Sequence, residues 1–308
     1  MKPRLLATPS LTGPALAELQ ARFPGLQLAP FRSPEWNAAL PEAEALVVVL
    51  SEPITEADLV AAPRLKVIGT YSVGVNHLPV AACQARGIPV ANTPGVLTDA
   101  TADLALALLL ALTRRLAEGE TLVRSGAWQG WAPDQLLGTG LAGKDCGILG
   151  SGPIGLAFAR RVQVLGMTPL FWSRDGHGGQ VDFGTGQAPR LPLTDLLPRS
   201  AVLSLHCPLT EQTRGLLDRA ALEQLPAGAV ILNTARGGIL DENAAIDLLE
   251  TGRLGGVGLD VYDGEPQVHP RWLTAPRTVL LPHLGSATVE TREAMARQLC
   301  DGLAAALG

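Results

Sequence analysis

Short runs of aliphatic residues alternate along the chain with segments in which apolar residues recur every three or four positions. The first pattern is typical of buried strands and the second of amphipathic helices, so their alternation predicts parallel sheets with helical connections. The first hundred residues form one such α/β series. Its predicted strands are Arg4 to Ala7, Ala45 to Leu50, Lys66 to Thr70 and Ile88 to Ala91, and its predicted helices are Pro14 to Arg22, Thr55 to Leu59 and Leu78 to Arg86.

A second and longer series follows a single long helix, predicted from Asp99 to Arg124, and a loop rich in Trp, Gly and Pro. Its six strands, with helical connections between several of them, fit a doubly wound sheet. Residues 176–186 are predicted to form a glycine-rich loop, and a helix from Thr288 to Leu307 ends the series. The six strands are Asp145 to Leu149, Thr168 to Trp172, Ala201 to Leu205, Ala229 to Asn233, Gly255 to Asp260 and Thr278 to Leu281.

Composition narrows the possible functions. The chain has 308 residues, of which 47% are hydrophobic and 17% charged, so it can form two domains of about 150 residues with apolar cores. A net charge of −5 and an aromatic content of 4% argue against binding to nucleic acids or to anionic membranes. The longest apolar run, Leu104 to Leu112, is half a membrane span, and the first residues lack a signal peptide's apolar core.

The cysteines indicate the compartment. All four are far apart and none shows the spacing of a metal site or a disulfide framework. We therefore expect reduced thiols in a cytoplasmic protein and no bound metal. The cysteines are Cys83, Cys146, Cys207 and Cys300.

The segment Gly150-Ser-Gly152-Pro-Ile-Gly155 places a G-x-G-x-x-G motif between a predicted strand and a predicted helix. In a dinucleotide-binding fold the first glycine makes a tight turn, the second lets a pyrophosphate approach the backbone, and the third lets helix and strand pack closely. A glycine-rich turn can also be purely structural, but here the strand, the spacing and the helix all agree. Pro153 suits a first helical turn but lacks an N–H for the phosphates, which predicts a weaker phosphate grip.

The end of the second strand indicates which dinucleotide is bound. About twenty residues after the fingerprint, NAD-dependent enzymes hold an acidic residue for the ribose 2′-hydroxyl. This chain has Ser173 and Arg174 there, and a hydroxyl with a guanidinium suits a 2′-phosphate, which favours NADP(H). If the strand runs one or two residues further, Asp175 takes the acidic role and the cofactor is NAD(H). His177 is either a further 2′-phosphate ligand or a solvated loop residue.

Three charged residues follow predicted strands of the second sheet, namely Arg236, Glu265 and His283. Because the carboxyl ends of parallel strands share one edge, where ligands bind in open α/β folds, we expect all three near a ligand. A glutamate beside a histidine stabilises the imidazolium, which can protonate a carbonyl oxygen, and an arginine binds a carboxylate in a fork. With a nicotinamide hydride donor, these groups suffice to reduce a 2-oxo acid. The structural alternatives are an ion pair for Arg236, a turn cap for Glu265 and a core histidine for His283.

The remaining histidines are given no catalytic part. His77 and His269 are expected to be solvated loop or helix-start residues, and His206 is expected to shape the loop on the cofactor side.

With these motifs the sequence resembles the D-isomer-specific 2-hydroxyacid dehydrogenases over nearly its whole length. Within that family it is most similar to the glyoxylate/hydroxypyruvate reductase branch, through Tyr71 to His77 and Trp128 to Gly138. It departs from the family at Pro153, where Arg is common, and at Asn76, where many relatives have Asp.

The resemblance implies a role for each matching residue. Arg236 would bind substrate and polarise its carbonyl, His283 would donate the proton, and Glu265 would partner that histidine. Asp260 would hold the nicotinamide carboxamide, and Trp131 would approach the neighbouring subunit's substrate site. The cofactor set is Thr101, Gly150, Gly152, Pro153, Ile154, Gly155, Ser173, Arg174, Cys207, Pro208, Thr234, Asp260 and Gly285, and the substrate set is Ser51, Val73, Gly74, Trp131, Arg236, His283 and Ser286.

The resemblance also implies two Rossmann-like or flavodoxin-like α/β domains, the nucleotide-binding one inserted into the substrate domain. The expected boundaries are 1–98 with 286–308 for the substrate domain and 99–285 for the NAD(P)-binding domain. The helix from Asp99 is expected to form much of a homodimer interface. The expected reaction is NAD(P)H-dependent reduction of glyoxylate or hydroxypyruvate to glycolate or D-glycerate. The alternatives are a larger 2-oxo acid as substrate and a non-catalytic NAD(H)-sensing protein.

Overall fold

The computed structural model describes residues 4–174, 176 and 178–308. Two of the candidates for ribose or 2′-phosphate recognition, Asp175 and His177, lie outside the described residues. The chain divides into two compact units, called unit 1 and unit 2 below. Unit 1 comprises Met1–Leu97 and Ser286–Gly308, and unit 2 comprises Thr98–Gly285.

Unit 1 is built on a five-stranded parallel sheet. Its strands are β1 (Leu5–Ala7), β2 (Leu26–Leu28), β3 (Ala45–Val48), β4 (Val67–Thr70) and β5 (Val90–Ala91). They are arranged in the order β2-β1-β3-β4-β5. The four strands predicted from aliphatic runs are present, each shorter by one or two residues. The edge strand β2 was not predicted because a three-residue, largely exposed segment has too little apolar pattern.

Four short helices connect these strands, and polar caps explain where two of them begin. The Ser33 hydroxyl accepts a hydrogen bond from the N–H of Trp36, and Thr55 forms a reciprocal capping box with Asp58. The helices are α1 (Gly13–Arg22), α2 (Pro34–Ala39), α3 (Glu56–Ala61) and α4 (Val80–Ala85).

Unit 2 begins with two helices, α5 (Thr98–Thr113) and α6 (Leu116–Arg124), where one long helix was predicted. The prediction was wrong because a distant loop intervenes. The N–H of Thr139 donates to the carbonyl oxygen of Thr113 at 2.8 Å, and Arg115 adopts a left-handed backbone with φ of 54°. As a result α5 is buried along one side in the core of unit 2, whereas α6 has no buried residue.

The rest of unit 2 contains a six-stranded parallel sheet and a separate two-stranded hairpin. The strands are β6 (Asp145–Leu149), β7 (Thr168–Trp172), β8 (Gln180–Asp182), β9 (Gln187–Pro189), β10 (Val202–Leu205), β11 (Ala229–Asn233), β12 (Leu254–Leu259) and β13 (Thr278–Leu280). The connecting helices are α7 (Pro153–Val164), α8 (Leu193–Leu196), α9 (Arg219–Glu223) and α10 (Glu242–Glu250).

The order of the large sheet is β13-β12-β11-β10-β6-β7, so the chain reverses direction across the sheet between β6 and β10. Ligands bind at such a switch point in doubly wound folds. Strand β8 lies within the segment that was predicted to be a glycine-rich loop, and its antiparallel partner β9 begins directly after that segment. These two strands are only three residues long and carry too little periodicity to be recognised.

The last helix, α11 (Val289–Leu307), completes unit 1. Its Leu299 and Leu303 side chains pack on β4 at Gly69, where an added Cβ would lie 2.9 Å from the Cδ1 atom of Leu299. The predicted fold class, two α/β domains with parallel sheets, one inserted into the sequence of the other, is confirmed. Within the described part of the chain, every helix is too short or too polar to cross a membrane. The four cysteines are buried and unpaired.

Candidate active site

The fingerprint lies between β6 and α7, and each of its glycines meets a different steric demand. Gly150 has φ of 115°, and a Cβ there would lie 2.7 Å from the carbonyl group of His206. A Cβ on Gly155 would lie 2.1 Å from the carbonyl oxygen of Gly150, so only glycine lets helix and strand pack this closely. A Cβ on Gly152 would meet no atom within 4 Å. The space in front of the α7 N-terminus is therefore open, as a dinucleotide pyrophosphate requires.

Pro153 is the first residue of α7, followed by Ile154, and Gly152 is the N-cap. Proline fits this position because its backbone dihedral suits a first helical turn. Because proline has no backbone N–H, this turn has one donor fewer for a phosphate than it would have with another residue at position 153.

Strand β7 ends at Trp172, whose carbonyl oxygen accepts the N–H of Gly150 at 2.8 Å. Ser173 is the next residue, with 8% of its surface exposed, and Arg174 is exposed. The strand ends at the predicted residue and does not extend toward residue 175. Ser173 and Arg174 are therefore the described residues at the position where this fold recognises the ribose 2′ substituent.

The loops after β10 and β11 supply the neighbouring cofactor candidates. Burial raises the pKa of the Cys207 thiol to about 11, so it is an uncharged group at neutral pH. The carbonyl oxygen of Pro208 accepts the Thr213 hydroxyl at 2.6 Å. The hydroxyl oxygen of Thr234 is shielded from solvent and has no hydrogen-bond partner among the described residues. A buried polar group of this kind calls for an acceptor or donor from a ligand.

His206 is half-buried and lies directly after β10 in unit 2. Its Nε2 atom lies 2.8 Å from the Ser204 hydroxyl, and its ring packs against Phe158. Burial lowers the pKa of His206 to about 3, so the ring is neutral at physiological pH. This agrees with a part in shaping the loop rather than in proton transfer.

The catalytic candidates on the other side of the switch point lie together. The Nδ1 atom of His283 lies 2.8 Å from Oε2 of Glu265, and Oε1 of that carboxylate accepts the N–H of Tyr262 at 3.0 Å. Burial alone would raise the pKa of Glu265. The hydrogen bond and charge of His283, the N–H of Tyr262 and the charge of Arg236 together outweigh burial, so the pKa of Glu265 is lowered. Since an ionised carboxylate only accepts hydrogen bonds, Nδ1 carries the hydrogen and Nε2 remains available.

Arg236 is held close to this pair by its loop. Burial lowers the pKa of its guanidinium, and the charge of Glu265 opposes that effect. Behind the loop, the Asn233 side chain accepts the N–H of Ala235 at 3.0 Å and donates to the carbonyl oxygen of Arg236 at 2.8 Å. Gly237 approaches the 262–263 backbone so closely that a Cβ would lie 1.9 Å from the carbonyl carbon of Tyr262. The sequence alone did not predict these supporting contacts of Asn233 and Gly237, because they depend on how the strand-end loops pack together.

Asp260 anchors the loop that carries His283. Its two carboxylate oxygens accept the N–H groups of Leu284 at 2.6 Å and Gly285 at 2.8 Å, and its carbonyl oxygen accepts the N–H of His283. The Thr101 hydroxyl donates to the carbonyl oxygen of Gly285 at 3.0 Å. Three cofactor candidates from distant parts of unit 2 are thus in contact. His283 has φ of 57°, a backbone conformation that a non-glycine residue adopts only when its surroundings hold it there.

In unit 1, the substrate candidates follow two neighbouring parallel strands. Ser51 comes after β3, and Val73 with Gly74 comes after β4. The buried carboxylate of Glu52 fixes the first loop, because it accepts the hydroxyls of Thr8 at 2.8 Å and Ser10 at 2.7 Å and the N–H of Val49. Sequence patterns did not reveal this role of Glu52. Ser286, the first residue of the second unit 1 segment, is half-buried.

The loop after β4 is held by a chain of hydrogen bonds. The Thr70 hydroxyl lies 2.9 Å from both His77 Nε2 and the Ser72 hydroxyl, which in turn donates to the carbonyl oxygen of Gly74 at 2.7 Å. The side chain of Asn92 donates to the carbonyl oxygen of Val73 at 2.9 Å. The expectation of a solvated His77 was therefore wrong, since the fold around β4 brings the ring onto Thr70.

Trp131 lies in the loop after α6 and is 83% exposed within the chain. Trp128 is exposed in the same loop. Among the described residues, no three His, Cys, Asp or Glu side chains are grouped in a way that could hold a metal ion.

The chain is similar in sequence to a known protein family and to proteins of known activity. Residues 106–285 match the family described as D-isomer specific 2-hydroxyacid dehydrogenase, NAD binding domain. The chain is 42% identical over 269 residues to glyoxylate reductase from Thermococcus litoralis, which covers 86% of this chain and 80% of that protein. It is 40% identical over 268 residues to glycerate dehydrogenase from Hyphomicrobium methylovorum, which covers 86% of this chain and 83% of that protein.

A solved structure extends the likeness to three dimensions. The NADPH-dependent glyoxylate/hydroxypyruvate reductase from Sinorhizobium meliloti, in complex with NADP and malonate, superposes with a TM-score of 0.88. It is 31% identical in sequence and covers 99% of this chain and 93% of its own.

Proposed function

The chain belongs to the D-isomer-specific 2-hydroxyacid dehydrogenases, and from that premise we propose that it reduces glyoxylate and hydroxypyruvate to glycolate and D-glycerate with NADPH. Membership makes it a nicotinamide-dependent oxidoreductase acting on CH–OH groups. The choice of small substrates rests on the relatives, which are glyoxylate reductases and a glycerate dehydrogenase. The roles of individual residues rest on the geometry of the candidate site.

The observation that carries the proposal is the pair formed by His283 and Glu265 beside Arg236. With Nδ1 bound to an ionised carboxylate, the ring is held in one orientation and in one tautomer. Nε2 is then the atom that gives a proton to the carbonyl oxygen of the substrate. In the oxidation direction the same atom accepts the proton from the hydroxyl group.

Arg236 binds the substrate carboxylate and polarises the adjacent carbonyl group. A planar guanidinium forms two parallel hydrogen bonds with a carboxylate, which selects 2-oxo acids over aldehydes and ketones without an acid group. Desolvation around Arg236 strengthens this attraction, because charges interact more strongly where water is excluded. Within unit 1, we assign substrate binding to the backbone N–H groups of Val73 and Gly74 and to Ser51 and Ser286.

The residues of unit 2 fit a dinucleotide. The open space at Gly152 and the α7 N-terminus would take the pyrophosphate, and the unpaired Thr234 hydroxyl marks a further polar contact. Thr101, Asp260 and Gly285 would hold the nicotinamide end. When bound, the reduced nicotinamide supplies the hydride for the 2-oxo carbon. Ser173 and Arg174, with no described carboxylate at that position, support NADPH over NADH.

We further infer a homodimer. Helix α6 and the loop after it expose Leu116, Val123, Trp128, Trp131 and Leu137. A cluster of large apolar side chains on one stretch of chain is typical of a surface covered by a partner. The buried helix α5, by contrast, packs into the core of its own unit and offers less surface for this purpose than the sequence predicts.

A kinetic panel tests the proposal. The purified protein is assayed with NADPH and with NADH against glyoxylate, hydroxypyruvate, pyruvate and phenylpyruvate. We expect the highest kcat/KM for glyoxylate or hydroxypyruvate with NADPH. A preference for phenylpyruvate would move the substrate to a larger 2-oxo acid, a higher kcat/KM with NADH would refute the cofactor assignment, and absence of turnover with all four acids would favour a nucleotide-sensing protein.

A further inference from the structure

Arg190 lies at the edge of the large sheet, next to the strand that ends at the ribose-recognition position. It continues β9 and pairs in parallel with Phe171 of β7, and the N–H of Leu191 donates to the carbonyl oxygen of Phe171 at 2.8 Å. The backbone of Arg190 also exchanges hydrogen bonds with Gly178 and Gly179 at 3.0 and 3.1 Å. The position of this residue is therefore fixed on both sides.

The side chain of Arg190 has no partner among the residues that the structure describes. Its Nε atom is shielded from solvent and makes no hydrogen bond, and the guanidinium forms no ion pair within the described ranges. Nearby arginines differ, because Arg160 donates to the carbonyl oxygen of Phe183 at 3.0 Å and Arg161 binds Asp99 and Asp103. A cation whose Nε atom is shielded from water without a partner costs stability, and a hydrogen-bond acceptor on a bound ligand would remove that cost.

The register places Arg190 near Ser173. Phe171 and Arg190 are paired across parallel strands, so these two residues share a face of the sheet. Ser173 follows Phe171 by two positions and lies one residue past the end of β7, diagonal to Arg190. Diagonal neighbours of this kind have Cα atoms about 7–8 Å apart, within reach of an arginine side chain. Arg174, exposed beside Ser173, adds a second cation to this corner.

We propose that Arg190 binds the 2′-phosphate of NADPH and is a specificity-determining residue for the cofactor. The inference rests on the proposed use of NADPH. Two guanidinium groups and a hydroxyl match a phosphate dianion, which accepts several charge-assisted hydrogen bonds. The 2′-hydroxyl of NADH carries no charge and leaves Arg190 unpaired. Arg190 therefore strengthens the binding of NADPH and has almost no effect on the binding of NADH.

The test compares binding of two small probes, 2′,5′-ADP and 5′-AMP, by isothermal titration calorimetry. They differ only in the 2′-phosphate. In the wild type we expect 2′,5′-ADP to bind more tightly. Arg190→Gln should weaken 2′,5′-ADP at least tenfold and change 5′-AMP less than twofold, and Arg190→Lys should lie between the wild type and Arg190→Gln. The control Arg160→Gln removes a neighbouring arginine that already has a partner and should leave the ratio of the two dissociation constants unchanged.

The outcomes separate the two proposals. If the wild type prefers 2′,5′-ADP and Arg190→Gln keeps the full preference, the role of Arg190 is refuted while NADPH specificity stands. If the wild type binds both probes equally, the 2′-phosphate is not recognised and the use of NADPH fails together with the role of Arg190. Thermal unfolding checks that the variants fold, and we expect no loss of Tm in Arg190→Gln because the removed charge has no partner in the described protein.

Discussion

The Nδ1 atom of His283 lies 2.8 Å from the Oε2 atom of Glu265, although the two residues are 18 positions apart in the chain. Glu265 follows β12 and His283 follows β13, and these strands are parallel neighbours in the large sheet. Their carboxyl ends therefore meet at one edge. The carbonyl oxygen of Asp260 accepts the N–H of His283 at 3.0 Å, and the N–H of Tyr262 donates to the Glu265 carboxylate at 3.0 Å. The pair is thus formed by two loops that follow neighbouring strands and are held by these hydrogen bonds.

Removing the histidine should slow the chemical step. His283→Gln loses the proton donor, so we expect kcat for glyoxylate to fall by about 10² to 10⁴. The dissociation constant for NADPH should stay within about twofold of the wild type, since the ring is not assigned to the dinucleotide. Steady-state kinetics and fluorescence titration measure the two quantities. His269→Gln is the matched control and should keep wild-type kcat. A kcat near normal in His283→Gln would contradict the assignment.

Replacing Arg236 with lysine tests the fork without removing the charge. Lysine cannot form two parallel hydrogen bonds with a carboxylate, so Arg236→Lys should raise KM for the 2-oxo acid at least about tenfold, equivalent to about 1.4 kcal/mol. Initial rates over a range of glyoxylate concentrations provide the measurement. Arg199, an exposed residue that forms an ion pair with Asp145, supplies a control, and Arg199→Lys should leave KM unchanged. An unchanged KM in Arg236→Lys would show that the arginine has only a structural role.

Asp260 should prove important for stability as well as for turnover. In Asp260→Asn one side-chain oxygen becomes an NH2 group, so one of the two N–H donors from Leu284 and Gly285 loses its acceptor. We expect the free energy of unfolding to fall by about 1–3 kcal/mol, and kcat to fall because His283 is no longer held. Urea denaturation and kinetics measure both. Asp263→Asn changes an exposed carboxylate nearby and should alter neither the free energy of unfolding nor kcat. Full stability in Asp260→Asn would exclude the anchoring role.

The lowered pKa of His206 predicts how stability responds to acid. The folded pKa is about 3 and the reference pKa is 6.5, so between these values only the unfolded chain takes up a proton at this residue. The contribution of His206 to the free energy of unfolding is therefore complete above the unfolded pKa. It is lost as the pH falls, by about 1.4 kcal/mol per pH unit.

His206→Gln removes this term. The stability advantage of the wild type over the variant should therefore shrink by about 2–3 kcal/mol between about pH 7 and about pH 4.5. Urea denaturation at the two pH values measures the difference. An advantage that stays constant would show that His206 is protonated in the folded protein.

The exposed apolar side chains of α6 predict the effect of charge on association. Leu116→Asp combined with Val123→Asp places two carboxylates on the proposed interface, and we expect a dimer to become a monomer. Light scattering coupled to gel filtration determines the mass. Val164→Asp alters an even more exposed apolar residue, on α7, and this variant should remain dimeric. A wild type that is monomeric at all concentrations would refute the interface, as would a double variant that stays dimeric.

Much of this molecule was readable from local patterns. Buried parallel strands are continuous aliphatic runs, and the six strands of the large sheet lie within one or two residues of their predicted positions. The fingerprint glycines were predictable because a tight turn and a close approach exclude other residues at any site with that geometry. The charged residues at strand ends could be selected because the carboxyl edge of such a sheet is where ligands bind.

Tertiary contacts decided the rest. The break between α5 and α6 depends on Thr139, which is far from Thr113 in sequence and takes its carbonyl group. The lowered pKa of His206, and the lack of a partner for Arg190 Nε among the described residues, follow from which segments pack beside them. Local sequence determines propensity and periodicity over a few residues, whereas burial, hydrogen-bond partners and pKa depend on atoms that the fold brings from elsewhere in the chain.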